Sequence, residues 1–547
     1  MSSVADQYTF QEAVEEQDNT PLFQSKKYTY ITDSSSVSGN FNGQIQFDLN
    51  TLSSQNQWTD LSEAVIQFPI KLSIQNTSGT FTGNACTILS ACIKNGFHQF
   101  VDSVQIVLGG NTVQSSQIFT NIDTNYKILS TWSNDTYNKY ADTLGLGLDD
   151  YLTTSDSSTG ITDSLDNAAL VTALQGFDIT YNKNTGFKKR QLMNNNDVLA
   201  SNLGKSILGT NQARLGKANC QVGSATAAAG NDIFIMYLLG TIRLKDISSF
   251  AEKVPLMKNM KGYVYVNYNS STHTLTNAGA STITAITNSA SYGRVCTSNI
   301  NIGVDGFVFG SGTGSVTFKA EVSAVKSTNL TTADTIMTNA RLICPYFIAN
   351  PSIDRALSTK KTFRYNERFV TQFSVDKSGN YNGTITPGIS NPTRVILYPY
   401  FTGPGDSGNS GFISNPLISP FDGVPSTTSA FAALKDLQFM VGNVPMFQSP
   451  ITYDYDNWVQ EISLQGVDGG LNKEVSSGLL NQRAWNQLYR YYTCNIARRM
   501  DSEDGASKSI QVSLTNATTC PMTIICIVWY EREVVVDTVS GQVQQIK

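Results

Sequence analysis

Apolar and polar residues alternate along this chain in short runs, and the runs predict strands. Residues 27–32 alternate, and 44–49 do so more clearly, with Ile45, Phe47 and Leu49 on one face. A longer run at 64–74 carries Pro69, which predicts an edge strand or a bulge there. Residues 104–111 form a β-branched run that ends in Gly109, Gly110 and Asn111. Residues 118–132 instead space Ile122, Tyr126 and Leu129 by four and three, the period of a helix. Strands resume at 232–239, 262–268, 315–322 and 341–347, then at 368–375, 394–401, 437–443, 509–514 and 523–536. Residues 479–499 read as a second helix, with Leu480, Trp485, Leu488 and Tyr492 on a broad face.

Residues 104–111 have a partner in this list. The run at 437–443 also follows an aspartate, Asp436 against Asp102. It ends at Gly442 and Asn443, and each copy leads to a Gln-Ser pair, Gln114-Ser115 and Gln448-Ser449. The order of neighbours repeats too: strands at 41–49, 64–74 and 104–108 line up with 368–375, 394–401 and 437–441. The second member of each set carries a proline, Pro69 or Pro399. An internal repeat of this kind predicts two related domains. Many short strands, little helix and long connections make each an all-β sandwich or barrel.

Composition supports that picture. Only 15% of the 547 residues are charged, and aromatics reach 10%, so the surface is built from amides and hydroxyls around an ample core. The net charge of −5 gives no general attraction for nucleic acid, and no sequence-specific nucleic-acid binding is expected. The first twenty residues hold Asp6, Glu12, Glu15, Glu16 and Asp18 with no Lys or Arg, an acidic arm. No signal peptide opens the chain and no run approaches the ~20 apolar residues of a spanning helix. The expectation is synthesis in a cell interior without secretion, with the eight cysteines as free thiols. Nothing in the residues speaks for or against an internal membrane.

Candidate chemistry is thin. Gly405-Asp406-Ser407-Gly408 has the look of a protease nucleophile loop, but His98 and His273 are the only histidines, and the segment reads as a loop. Gly209 to Lys217 and Gly310 to Gly314 lack phosphate-loop spacing. Asp454 to Asn457 and Asp501 to Gly505 read as solvated acidic loops rather than Ca²⁺ sites. No catalytic, metal or cofactor site is expected. One basic cluster, Arg483, Arg490, Arg498 and Arg499, falls on the second predicted helix. Its readings are a solvated helix face, an inter-subunit contact with an acidic neighbour, or genome phosphate.

The segment from Arg243-Leu244-Lys245-Asp246 through Val254-Pro255-Leu256-Met257-Lys258-Asn259 to Gly262–Asn269, with the paired strand-Gly-Asn stretches, resembles the double jelly-roll major capsid proteins of virophages and Polinton-like viruses. That resemblance implies two consecutive eight-stranded jelly-roll sandwiches with long loop insertions and a few short helices. It divides the chain into an arm at 1–25, a first jelly roll at 26–350 with insertions at about 133–230 and 270–313, a second at 351–537 and a polar tail at 538–547. It implies a non-enzymatic homotrimer whose six jelly rolls form a pseudo-hexameric capsomer. Such capsomers tile the icosahedral shell of a dsDNA virion beside penton and minor or cement proteins. The alternative is a viral receptor- or glycan-binding β-sandwich spike or fibre. A jelly-roll glycosidase would need a convergent carboxylate pair to which no residue here points.

Overall fold

A computed structural model describes residues 22–545 other than 35–38, 40, 42, 54–56, 79–89, 150–185, 187–189, 191–219, 223–227, 279–281, 291–299, 304–313, 332–334, 336, 404–414, 418–431, 472–473 and 498–504. The first half contains β1 (Phe23–Thr32), β2 (Gln44–Asp48), β3 (Trp58–Thr59), β4 (Val65–Ser78), β5 (Ser90–Ile93), β6 (Val101–Leu108), β7 (Asn111–Gln114) and β8 (Cys220–Val222). It continues with β9 (Asp232–Arg243), β10 (Gly262–Tyr268), β11 (Ser271–Ala278), β12 (Thr282–Ala290), β13 (Ile300–Gly303), β14 (Gly314–Val322) and β15 (Arg341–Ala349). The second half contains β16 (Lys360–Val375), β17 (Asn380–Ser390), β18 (Pro392–Phe401), β19 (Leu434–Val441), β20 (Val444–Pro445), β21 (Tyr492–Asn495), β22 (Ser507–Asn516), β23 (Met522–Asp537) and β24 (Val543–Gln545). The helices that matter below are α1 (Thr120–Thr131), α2 (Asn134–Tyr140), α3 (Ser249–Lys253), α4 (Tyr455–Gln465) and α5 (Gln482–Gln487).

Two four-strand orders recur. In the first half β1, β15, β4 and β9 pair in that order, as do β2, β10, β6 and β7. In the second half the orders are β16-β23-β18-β21 and β17-β22-β19-β20. Counting those eight strands from first to last in each half, both halves read 1-8-3-6 and 2-7-4-5, all antiparallel. That is the strand order of two facing jelly-roll sheets, present twice. The two Gly-rich repeats occupy the same place in it. Leu108 pairs with Asn111 around Gly109-Gly110, and Val441 pairs with Val444 around Gly442-Asn443. All four turn residues have positive φ, 56° and 84° in the first hairpin and 56° and 66° in the second. A two-residue hairpin turn of this hand needs that conformation, which only Gly and Asn adopt readily.

Three expectations are corrected. Residues 368–375 belong to β16, whose counterpart is β1; the counterpart of β2 is β17. β17 escapes the alternation rule because its sequence, NYNGTITPGIS, is largely exposed and shifts register against β22. The described part of the polar stretch at 270–313 is sheet rather than loop. Its Thr-rich segments form the β11–β12 hairpin, which β14 joins to β4. Pro69 lies in a central strand, not at an edge. It stands where the partner of β4 changes from β15 (up to Gln67) to β14 (from Ile70), so its missing N–H interrupts no ladder bond. The acidic arm lies outside the described residues up to 21, and most of the 133–230 insertion does as well.

The two cores interlock. The first is built from β2, β4, β6, β9 and β10 residues such as Phe47, Phe68, Ile106 and Val264, yet it also takes Tyr365, Val534, Val536 and Val543 from the second half. The second core centres on β18 and β23 and takes Phe119, Ile122, Tyr126 and Leu129 from around α1.

Candidate functional site

The exchange of elements between the halves makes a seam, and the charges at its centre, Glu367, Arg368 and Asp123, are buried. Glu367 on β16 is 4% exposed. Its carboxylate accepts from the Ser115 backbone N–H at 2.7 Å, from the Ser115 hydroxyl, from the Tyr530 hydroxyl at 3.0 Å and from the Arg532 guanidinium. Next to it Arg368 donates to the Gln117 carbonyl at 2.8 Å and to the Thr120 hydroxyl, and pairs with Asp123 at 3.4 Å. Burial pushes the Arg368 pKa down, opposed by the Asp123 carboxylate. Asp123 also accepts from the Trp529 indole N–H at 2.6 Å. A charge buried this deeply is tolerated only when its hydrogen-bonding capacity is met, and here each half supplies what the other lacks.

Apolar contacts complete the seam. Tyr126 of α1 stands edge-on to Trp458, Tyr491 and Trp529, with ring centroids 6.1, 5.6 and 5.5 Å away, and its hydroxyl bridges Gln465 and Thr493 at 3.0 Å. In the other direction Phe250 of α3 lies 5.7 Å from Phe363 and 5.3 Å from Tyr365, whose hydroxyl donates to the Val113 carbonyl. The tail beyond β23 is not a loose end. Thr538 is fully buried, β24 pairs back onto β23, and Asn111 donates to the Val543 carbonyl at 2.6 Å. The C-terminal strand thus caps the first Gly-Gly hairpin.

No reactive constellation emerges among the described residues. His98 and His273 are both buried, with pKa values lowered to about 3 by burial. Asp454 and Asn457 form a capping box at the start of α4, with reciprocal bonds of 3.2 and 3.0 Å. Among the described residues no group of three His, Cys, Asp or Glu side chains could hold a metal, and no helix is long and apolar enough to cross a membrane. The segments 405–408, 209–217 and 501–504 lie outside the described residues, as does 310–313. Cys344, Cys494, Cys520 and Cys526 are buried.

The arginine cluster does not share one helix. Asn481 caps α5 by accepting from the Ala484 N–H at 2.8 Å, and α5 ends at Gln487. The Tyr-Tyr-Thr run that follows enters β21, paired with β18, so tertiary pairing overrides the helical period expected to 499. Arg483 is exposed on α5, while Arg490 lies beyond it, stacked 5.1 Å over Trp485. Arg498 and Arg499 lie outside the described residues. The surfaces that sequence reading missed are apolar. Leu22 (57% exposed), Tyr28 (53%) and Tyr30 (60%) flank or lie on edge strand β1, and Val444 (62%) is on β20. The alternation at 27–32 was their signal, since it put aromatics on a face that alternation alone does not bury.

No family model matches the chain, and no curated protein matches it by sequence. Solved structures do. The mavirus major capsid protein aligns over 100% of this chain and 95% of its own, with a TM-score of 0.51 at 11% identity. A chain from the 3.5 Å cryo-EM structure of the Sputnik virophage aligns over 97% of this chain and 90% of its own, again with a TM-score of 0.51 at 11% identity. The fold is a double jelly roll. Near-complete coverage in both directions means that both sandwiches are matched, and not a single shared β-sandwich.

Proposed function

We propose that this chain is a major capsid protein, a non-enzymatic shell subunit that trimerises into pseudo-hexameric capsomers of an icosahedral DNA virus. The observation that carries the reading is the twofold recurrence of one strand order within a chain whose halves are locked by a buried polar seam. A rigid pair of near-equivalent sandwiches offers similar sides twice per chain, so three chains offer them six times, which suits a tile. The likeness to the mavirus and Sputnik chains supports the same reading. In this reading the protein resides in the virion and meets neighbouring capsomers, with penton and minor or cement proteins as further partners. Many amide- and hydroxyl-rich contacts, each weak, would hold the shell by multivalency.

The test is direct. The purified full chain is sized by light scattering and viewed by negative-stain electron microscopy. Trimers of six-lobed outline that form flat arrays or shells are expected. A monomer at all concentrations, or one that binds glycans without assembling, overturns the reading.

A further inference from the structure

The chain has two histidines, and the fold brings both to one segment, residues 94–100, every one of which is buried. Hydrogen bonds from several loops converge there. Lys94 Nζ donates to the Pro416 carbonyl at 3.3 Å, and the Gly147 N–H donates to the Asn95 carbonyl at 3.3 Å. On α1, the Asn121 amide donates to Gln99 Oε1 at 3.1 Å, and Asn125 Oδ1 accepts from the Asn95 amide at 2.5 Å. The Asn125 amide in turn donates to the Tyr491 hydroxyl at 2.9 Å. The Asn269 N–H, in the turn before β11, donates to the Phe100 carbonyl at 2.7 Å. The segment thus fastens loops of the first jelly roll to Pro416 and, through Asn125, to Tyr491 of the second.

Both imidazoles are placed where a charge is unwelcome. His98 Nε2 lies 3.3 Å from the Asn95 amide nitrogen, which makes it the acceptor of a neutral ring, with the Asn125 amide also beside it. His273, on β11, is wholly buried, and among the described residues neither of its ring nitrogens has a hydrogen-bond partner. Among those residues the charged group that bears on it is Lys94, on which the Asp149–Arg190 pair, 2.8 Å apart, acts in turn. A proton on His98 sets donor against donor, and one on His273 faces the Lys94 ammonium. We propose that segment 94–100 is an acid-released clasp between the two jelly rolls, which opens when its buried, neutral histidines reach water and take up protons. This is a property of the single chain and stands apart from the capsomer reading. Burial sets the sign. In the closed form each histidine has a pKa of about 3, against an ordinary 6.5 once open. The closed form is therefore fully favoured above pH 6.5. At pH 5 each ring favours the open form by about thirtyfold, and the two together by about a thousandfold. Lys94, lowered to about 7 by burial, is charged in both forms below that pH, so it adds no slope in the acid range. A chain built this way keeps its loops fastened at neutral pH and releases them in an acid compartment.

The experiment uses the full chain. Hydrogen exchange is followed by mass spectrometry at pH values from about 7.5 to 4.5, corrected for the intrinsic exchange rate at each. Between pH 7.5 and 5 the opening of peptides spanning 94–100 and 268–274 should rise by about a thousandfold, while β18 and β23 keep their protection. His98→Gln and His273→Gln should each leave a rise of about thirtyfold, and the double variant should be flat. His273→Leu replaces His273→Gln if that chain fails to fold. Protection of 94–100 that does not change with pH overturns the clasp. So does a rise that persists in the double variant, or a loss shared by β18 and β23, which is unfolding of the whole chain. If neither His273 variant folds, the wild-type slope decides. About two protons taken up per opening near pH 5.5 is the expected value, and fewer than about one overturns the clasp. None of these outcomes bears on whether the chain forms trimers, which the sizing experiment above reads separately.

Discussion

The two jelly rolls share a strand order but not a third layer. In the second, central strand β18 is buried at every residue but Thr393, because the facing sheet covers one side while α1 and α4 cover the other. In the first, β4 alternates, with Val65, Gln67, Lys71 and Gln75 half-buried on the side away from the core. The sequences differ accordingly: PTRVILYPYF is a near-continuous apolar run, while VIQFPIKLSIQ keeps period two. A sheet covered on both faces needs apolar side chains on both, and one-sided cover permits alternation. The helix that makes the difference, α1, comes from the first half of the chain. One jelly roll therefore lends its insertion to complete the other, while its own outer face is covered only locally, where Ile235 and Tyr237 pack with Leu330.

Substitutions on the covered side and on the exposed side should separate the two sandwiches. Tyr126→Ala removes a ring packed among three aromatics and strands Gln465 and Thr493, so a loss of about 3–5 kcal/mol is expected in denaturant unfolding. Tyr30→Ala, on the open face at 60% exposure, should shift the isolated chain by no more than about 0.5 kcal/mol. Equal losses would show that the open face is covered after all.

Glu367→Gln probes the polar part of the seam. It removes the carboxylate charge that faces Arg532 and weakens the bonds from Ser115 and Tyr530, and about 3 kcal/mol should be lost. A cooperative transition that splits into two would show that the jelly rolls unfold separately once the lock is gone. The histidines give a pH test confined to the first half. Both have folded pKa values lowered to about 3 from an ordinary 6.5. Between those values the unfolded chain binds protons that the folded chain refuses. Stability should therefore hold above pH 6.5 and fall as pH drops towards 3, by about 2 kcal/mol per histidine at pH 5. Unfolding midpoints measured from pH 7.5 to 4.5 check this, and a His98→Gln, His273→Gln chain should lose most of the slope.

Much of this was legible in the residues. Strands with clean alternation, helix α1 and the paired hairpins all announce themselves, because one buried face imposes period two and two-residue turns demand Gly or Asn. β17 did not, since it lies at a sheet edge with little to bury, and pairing the repeats slipped by one strand as a result. The helix expected to 499 failed because Tyr491 to Asn495 satisfies a helical period and a strand pairing alike, and β18 decided between them. The seam was invisible for a different reason. Ser115 and Glu367 are 252 positions apart, and nothing local marks either as the other's partner. The open surfaces were hidden likewise, since exposure is a property of the packed chain and not of a run of residues.

The finest comparison is between the two hairpin turns. Gly110 sits at φ +84° with open space where a Cβ would go, and the second hairpin has Asn443 at φ 66° in the same place. Gly110→Asn should therefore change stability by only a few tenths, about 0.5 kcal/mol at most, because Asn tolerates the left-handed region. Gly109→Ala should cost about 1–2 kcal/mol, since alanine at φ +56° brings its Cβ against the neighbouring carbonyl. Its Cβ would also lie 3.6 Å from Gln542, an ordinary contact, so strain rather than collision sets the loss. Gly442→Ala has the same φ and no tail above it, only the Lys508 side chain at 3.9 Å. If the two alanine variants lose equal stability, the turns are equivalent and the C-terminal cap adds nothing to the first. If Gly109→Ala loses more, the difference measures how tightly β24 holds the hairpin that its counterpart leaves bare.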